Sequence, residues 1–322
     1  MIRLDVQPWG ETLAEAQAAA RAAEDAGAGV VWAPELHRSA FVTAAALATA
    51  TSRIGVATGI ALAFARSPML TALAAADLDE LSEGRFRLGL GTGVARLNED
   101  WHGVPFERPV PRLRDTVAIV RAVLAGGDPI IHRGVQSIRV RGWRRPYPPA
   151  RPRIPIYLAG VGPAMIALAG QIADGWIAHE LCPPSELPAL KRDGFDVVAA
   201  ACCSVDPDPG VARRRAANVV GFYASVKSYA RGFERAGFGA VATAAAAALH
   251  GGRQADLLGD LIPDEMIDYY TIAGTAAQCA ARLTDFTDRA DALKLSPPSY
   301  GLPVEETRAA QQNLLELVGS TA

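Results

Sequence analysis

Arg85-Phe86-Arg87-Leu88-Gly89-Leu90-Gly91-Thr92-Gly93 decides how this chain is read. Its apolar positions have no helical period and run straight into small residues. Upstream, Ser67–Leu81 is amphipathic over the length of a helix, and Ser82-Glu83-Gly84 ends it. The order is therefore helix, glycine stop, buried strand, open loop. A strand covered on both faces of a parallel sheet reads as such a run because neither face meets water. Glycines at its carboxyl end let backbone approach something closely.

Working outward, the same unit recurs. Ile2–Gln7 reads as a first strand, and Thr12-Leu13-Ala14-Glu15 fits a capping box opening a helix that Gly27 stops. Strands Gly29–Ala33 and Arg53–Leu62 flank a helix at Ser39–Thr51, and Ser67-Pro68 supplies an N-cap with proline behind it. After a polar loop, the helix Val110–Ala125 follows. Ile130–Arg141 reads as a hairpin turning at Arg133-Gly134, and Arg144–Pro155 as a loop rich in proline and arginine. The rhythm resumes with strand Ile156–Ala159, helix Pro163–Ala173, strand Trp176–His179, a short helix Pro184–Arg192 and strand Asp196–Val205. Pro209–Ile262 is alanine-rich, a composition that suits helix and also suits disorder. Helix Ala276–Asp288, strand Ala292–Leu295 and helix Val304–Val318 close the chain.

Alternating strands and helices predict an α/β fold with a parallel sheet. Strands beginning near residues 2, 29, 53, 87, 156, 176, 196 and 292 predict a (β/α)8 TIM barrel over 1–322, a single domain with insertions. The insertions are the hairpin excursion near 130–153 and a helical segment near 207–270. The competing layout is a doubly wound open sheet, but no G-x-G-x-x-G follows the first strand.

The bulk properties narrow the function. Half of the 322 residues are hydrophobic, so a large core is available, and a formal net charge of −2 argues against a nucleic-acid partner. Cys182, Cys202, Cys203 and Cys279 form no CxxC pair and read as buried small hydrophobes. No signal segment opens the chain, and no apolar run approaches a membrane span. The expectation is a cytoplasmic protein with a small-molecule substrate.

In such barrels ligands bind at the carboxyl ends of the strands. The positions there are Glu35, His37, Arg38, Thr58, Gly59, Ile60, Arg66, Thr92, Gly93, Asn98, Gly160 to Pro163, His179, Glu180 and Ser296. Gly160-Val161-Gly162-Pro163-Ala164 places glycines before a helix whose first residue is proline, which leaves free N–H groups and makes an anion cradle. An ordinary strand-to-helix turn is the plainer explanation. His37, His102 and His179 lack metal-ligand spacing, so no metal site is expected. Arg144, Arg145, Arg151 and Arg153 either meet an acidic ligand tail or line a solvated loop.

Taken in order, five stretches resemble the luciferase-like monooxygenase superfamily, in its branch using the 5-deazaflavin coenzyme F420. They are Ala22–Glu35, Arg53–Leu70, Leu81–Gly93, Ile154–Gly175 and Ile272–Leu283. The resemblance implies a (β/α)8 barrel with a deazaflavin in its mouth and a non-proline cis peptide at Gly59–Ile60 behind the ring. It places Thr92, Gly93 and Asn98 along the ring and Ala159, Gly160, Val161, Gly162 and Pro163 at the phosphate. It puts Glu35 at the ring's polar edge, and it implies a homodimer. The branch's sugar-phosphate dehydrogenases carry a histidine and a glutamate where this chain has Leu36 and Val94, which argues against that chemistry. The acid/base group is then open among His37, His102, His179 and Glu180. The implied reaction is hydride transfer between the deazaflavin C5 and a small organic substrate. One rival is a monooxygenase using reduced FMN, fed by a separate flavin reductase. A second is a non-catalytic partner subunit that keeps the barrel, which the apolar Leu36 and Val94 would suit.

Overall fold

A computed structural model describes residues 2–321. They form two compact units, one of residues 29–178 and 190–198, the other of 2–28, 179–189 and 199–321.

The first unit holds strands β2 (Val30–Ala33), β3 (Gly55–Thr58), β5 (Phe86–Gly91), β8 (Ile156–Ala159) and β9 (Gly175–Ile177), parallel and in that order. The two-residue strand β4 (Ala61–Leu62) lies beside the end of β5, and Asp196–Val198 of β10 (Asp196–Val205) pair with β9. All four residues of β2 are fully buried, as are Phe86, Leu88 and Leu90 of β5, so both faces are covered. The unbroken strand expected over Arg53–Leu62 is in fact two strands. They part at Gly59-Ile60, whose peptide is cis.

Helix α2 (Ala40–Ala50) packs with β2 and β3. In α3 (Pro68–Leu81) the Ser67 side chain accepts from the Leu70 N–H at 3.2 Å, the cap read from Ser-Pro. Helices α4 (Pro109–Ala125) and α5 (Pro163–Ile172) complete the set. The hairpin is β6 (Ile130–His132) against β7 (Ile138–Val140). Three of the loop arginines are tied to acids of this unit: Arg145 to Asp77 and Glu80, Arg151 to Asp79, and Arg153 to Asp174. They hold the loop down, with Arg145 and Arg151 partly buried and Arg144 and Arg153 exposed.

In the second unit β1 (Arg3–Val6) pairs in parallel with β12 (Ala292–Ser296), and the rest of β10 lies between β12 and the short β11 (Ile272–Gly274). Helix α1 (Leu13–Asp25) is capped by Thr12, which accepts from the Glu15 N–H, but the Glu15 carboxylate reaches back to Glu11 N instead of Thr12 N. Only half of the expected capping box forms. A complete one starts α10 (Ala276–Leu283), where Thr275 and Gln278 bond reciprocally. Pro184–Arg192 shows one 3-10 turn, Pro184–Glu186, because Pro188 cannot continue a helix. The alanine-rich segment is ordered helix: α6 (Pro209–Ala224), α7 (Ala230–Arg235), α8 (Gly239–His250) and α9 (Asp264–Tyr270) bury a core that includes Val220, Phe233, Ala245, Met266 and Tyr270. Helix α11 (Val304–Thr321) packs on α1.

Strands β1, β2, β3, β5, β8, β9, β10 and β12 are the eight expected, and the fold class is the (β/α)8 barrel. No helix among the described residues is long and apolar enough to cross a membrane.

Candidate functional site

The residues expected at the ring and phosphate all fall in the first unit. Register pairs Leu88, Gly89 and Leu90 of β5 with Ile156, Tyr157 and Leu158 of β8, so Thr92 and Gly160 leave adjacent strand ends. A Cβ added at Gly91 would lie 2.8 Å from the Ile60 side chain and 3.5 Å from Ala159 Cβ. The ends of β3, β5 and β8 therefore meet around one glycine. Gly93 has φ +64°, and a Cβ there would meet Leu62 at 2.8 Å and Asn98 Nδ2 at 3.3 Å. Only glycine fits that turn without strain.

Asn98 sits in a single wide π-helical turn, Leu97–Trp101, inside the loop that the sequence left unstructured. Its Nδ2 donates to Thr92 O at 2.8 Å and Val94 O at 3.0 Å, which fixes the amide's orientation. The Oδ1 is buried and has no partner among the described residues. A buried acceptor without a donor costs about 1–3 kcal/mol, so this oxygen is set to receive one.

The glycine turn opens a helix that no side chain caps. Helix α5 has Gly162 at its N-cap and no side-chain cap, and Val161, Pro163 and Ala164 are exposed. A Cβ at Gly162 would meet nothing within 4 Å. The first amides of a helix have no intrahelical acceptor and carry the positive end of its dipole. Trp176 Nε1 donates to Gly160 O at 3.0 Å and fixes the turn from below. These features fit a ring bearing both a hydrogen-bond donor and a phosphate.

Glu35 does something other than present a free acid. Its oxygens accept from Leu62 N (2.8 Å), Ala40 N (3.3 Å) and both terminal nitrogens of Arg66 (2.7 and 2.6 Å). A carboxylate has about four acceptor positions, and all are taken. Glu35 fixes β4 and the residues before it. Thr58 is likewise committed, its hydroxyl donating to Gly89 O and accepting from Gly89 N. His37 and His102 are exposed.

His179 and Glu180 belong to the second unit, with partners the sequence did not announce. The Tyr223 hydroxyl, in α6, donates to Glu180 Oε1 at 2.7 Å, and the Tyr300 hydroxyl lies 3.4 Å from that of Tyr223. The rings of Tyr223 and Tyr229 each lie 4.7 Å from the His179 imidazole. Burial pushes the Tyr223 and Tyr300 phenols well above their ordinary range, so both stay protonated. In the same unit Lys294 is buried on β12, its Nζ donating to Gln7 Oε1 at 2.8 Å, and burial lowers its pKa. Among the described residues no group of histidines, cysteines and acids could hold a metal ion.

Burial lowers the His179 pKa to about 4, Glu180 opposing and Lys294 assisting the shift. The unfolded chain takes up this proton below pH ~6.5 while the folded chain refuses it until about pH 4, so stability is present above that window and lost as pH falls through it. Urea unfolding at pH 5 should show a loss of about 1–2 kcal/mol against pH 7.5 that His179→Asn removes. An unchanged pH profile in that variant would exclude His179 as the source.

A model of the luciferase-like monooxygenase family matches residues 2–292. The chain is 31% identical over 290 residues to the 5,10-methylenetetrahydromethanopterin reductase of Methanolobus tindarius, covering 84% of this chain and 85% of the relative. The structure of a coenzyme F420-dependent tetrahydromethanopterin reductase from Methanopyrus kandleri superposes with a TM-score of 0.79 at 22% identity, covering 100% of this chain and 98% of that one. The oxygenating constituent of 3,6-diketocamphane monooxygenase from Pseudomonas putida, in complex with FMN, gives 0.69 at 15% identity, covering 100% and 98%. The two structural likenesses show the same fold.

Proposed function

The chain belongs to the luciferase-like monooxygenase family, and from that premise we propose that it is an oxidoreductase that binds coenzyme F420 on the first unit. The observation that carries the reading is the meeting of Ile60, Gly91 and Ala159 beside an uncapped α5. Hydride transfer at C5 is the chemistry a bound deazaflavin supplies; the protein supplies position and a dry surround. The amides of Val161, Gly162 and Ala164 hold the phosphate. Asn98 Oδ1 accepts from the ring's polar edge, and Thr92 and Gly93 flank it. Gly59 and Ile60 form the shelf behind the ring, which Glu35 braces through Leu62 and Arg66 without contacting the ring. No glutamate or histidine stands at Leu36 or Val94, so His37, His179 and Glu180 are the groups left to handle the proton.

The second reading keeps the same site and exchanges the ring for reduced FMN, with a flavin reductase as partner and oxygen as co-substrate. The FMN-bound neighbour supports it. Titration of the purified protein with F420 and with FMN decides. Saturable F420 binding with at least a roughly tenfold preference, about 1.4 kcal/mol, is expected. The reverse preference moves the protein to the monooxygenase reading, and binding of neither ring moves it to a non-catalytic subunit.

We expect a cytoplasmic homodimer. Leu36, Val42 and Leu70 leave large apolar side chains exposed around α2 and α3. Light scattering on the same preparation should give twice the chain mass.

A further inference from the structure

Charge is most one-sided around the β6–β7 hairpin. Residues 116–173 hold eight arginines and a single acid, Asp128, in a chain whose net charge is −2. Four of the eight are paired with acids of the first unit: Arg121 and Arg153 with Asp174, Arg145 with Asp77 and Glu80, and Arg151 with Asp79. The other four, Arg133, Arg139, Arg141 and Arg144, are exposed and have no acid partner among the described residues.

Strand geometry sorts the ribbon into two faces. Register pairs Ile131 with Arg139, and both are exposed. Arg141 continues that face two residues on, and Arg133 stands exposed at the turn. On the opposite face Ile130 is buried, and His132, Ile138 and Val140 are half-buried. Helix α4 packs on β6, whereas no strand lies beyond β7 among the described residues. β7 is therefore an edge, and an edge strand presents backbone groups that another chain can pair with. Moreover, the edge is preformed. His132 Nε2 lies 2.9 Å from Asp115 Oδ1, the Gln136 N–H donates to Asp115 Oδ2 at 3.0 Å, and the Thr116 hydroxyl donates to Gln136 Oε1 at 2.6 Å. These bonds fasten the ribbon to α4, so little of it remains to be ordered on binding.

An anionic membrane takes apolar side chains to anchor in it, and Ile131 and Val135 are the only large ones exposed on the ribbon. A nucleic acid is held by cations alone and makes no use of an open strand edge. An extended acidic peptide uses both features. In a strand laid beside β7, alternate residues fall ~6.8 Å apart on each face, which is the repeat of Arg139 and Arg141. We propose that β7 is a docking edge for an acidic segment of a partner protein, which adds to the ribbon as a third strand. Acids at every second position of the segment stand beside Arg139 and Arg141. Apolar residues between them extend the row of Ile138 and Val140, and Arg133 and Arg144 meet acids flanking the paired stretch.

The test uses the full-length protein and a labelled heptapeptide, Val-Glu-Val-Glu-Val-Glu-Val, blocked at both ends. Fluorescence anisotropy at about 50 mM salt should show saturable binding with a Kd below about 100 μM, weakened at least about threefold at about 300 mM salt. A peptide of the same composition with its glutamates in one block should bind at least about fivefold more weakly, because it loses the alternation. Arg139→Glu combined with Arg141→Glu should raise the Kd at least about thirtyfold, since like charges then stand opposite one another. Should that variant lose its hairpin, Arg139→Gln with Arg141→Gln removes the charges without reversing them and should raise the Kd about tenfold. Bound peptide should also slow amide exchange across Ile138–Arg141 at least about tenfold, which a contact through charge alone would not do. No binding at about 1 mM peptide, an equal Kd for the block peptide, or unslowed exchange at β7 overturns the proposal. So does a tighter hold on phosphatidylserine vesicles or on duplex DNA that the same arginine changes abolish, which would give the patch to a membrane or a nucleic acid.

Discussion

Glu35→Gln should lower the unfolding free energy by about 3 kcal/mol and weaken ring binding by at least about tenfold. The carboxylate has 8% of its side chain exposed and Arg66 has 28%. Removing one member of a buried pair costs about 3–5 kcal/mol because the other charge is left unmatched, and the partial exposure of Arg66 puts this pair at the low end. Glutamine keeps the shape but turns one acceptor into a donor facing the guanidinium and either the Leu62 or the Ala40 N–H. Neither can accept, so the strand end must shift. That end carries Ile60 and Leu62, the residues seated against Gly91 and Gly93, so binding should fall with stability. Pairing the change with Arg66→Met removes the orphaned cation and should restore about 1–2 kcal/mol. The remainder belongs to the Leu62 and Ala40 amides. Urea midpoints at constant m measure both steps. A loss below about 1 kcal/mol for the single variant would show that Glu35 is dispensable to the shelf.

This carboxylate also shows where sequence reading stops. Glu35 was legible as a strand-end acid, but its partners lie 27 and 31 residues away at Leu62 and Arg66, and no local pattern encodes that distance. The strands were legible for a different reason: parallel strands buried on both sides impose an apolar run wherever they occur, as Val30–Ala33 and Phe86–Leu90 do. Helix starts at Thr12 and Ser67 were legible because a cap is a local bond. Thr275-x-x-Gln278 carries the same local signal at the start of α10. The break within Arg53–Leu62 was not legible from periodicity, since Gly59 inside an apolar run also fits an ordinary strand; only the resemblance pointed to it. The wide turn holding Asn98 has no period at all. Glu180 and His179 were candidates, whereas Tyr223 and Tyr300, contributed by α6 and the segment after β12, were not. Hydroxyl contacts across 43 and 77 residues leave no mark on composition.

Gly162→Asp should stabilise the protein slightly while reducing its affinity for the phosphorylated ring about a hundredfold. The two effects have one cause. Gly162 caps α5 without a side chain, has φ −93° and leaves open space where a Cβ would point, so aspartate enters without a clash. As an N-cap it supplies the acceptor that the first-turn amides lack, worth a few tenths of a kcal/mol over glycine, and its charge favours the positive helix end. Those amides are the donors assigned to the phosphate. Once the carboxylate holds them, the ligand loses one or two charge-assisted hydrogen bonds at about 1.5–3 kcal/mol each and meets a like charge. Gly162→Asn separates the contributions: it caps equally but carries no charge, so it should lose about tenfold. Gly162→Ala, which does neither, should bind within about threefold of wild type. An aspartate variant with raised thermal stability and undiminished binding would mean that the phosphate sits elsewhere, and the ring would have to be placed without the help of α5.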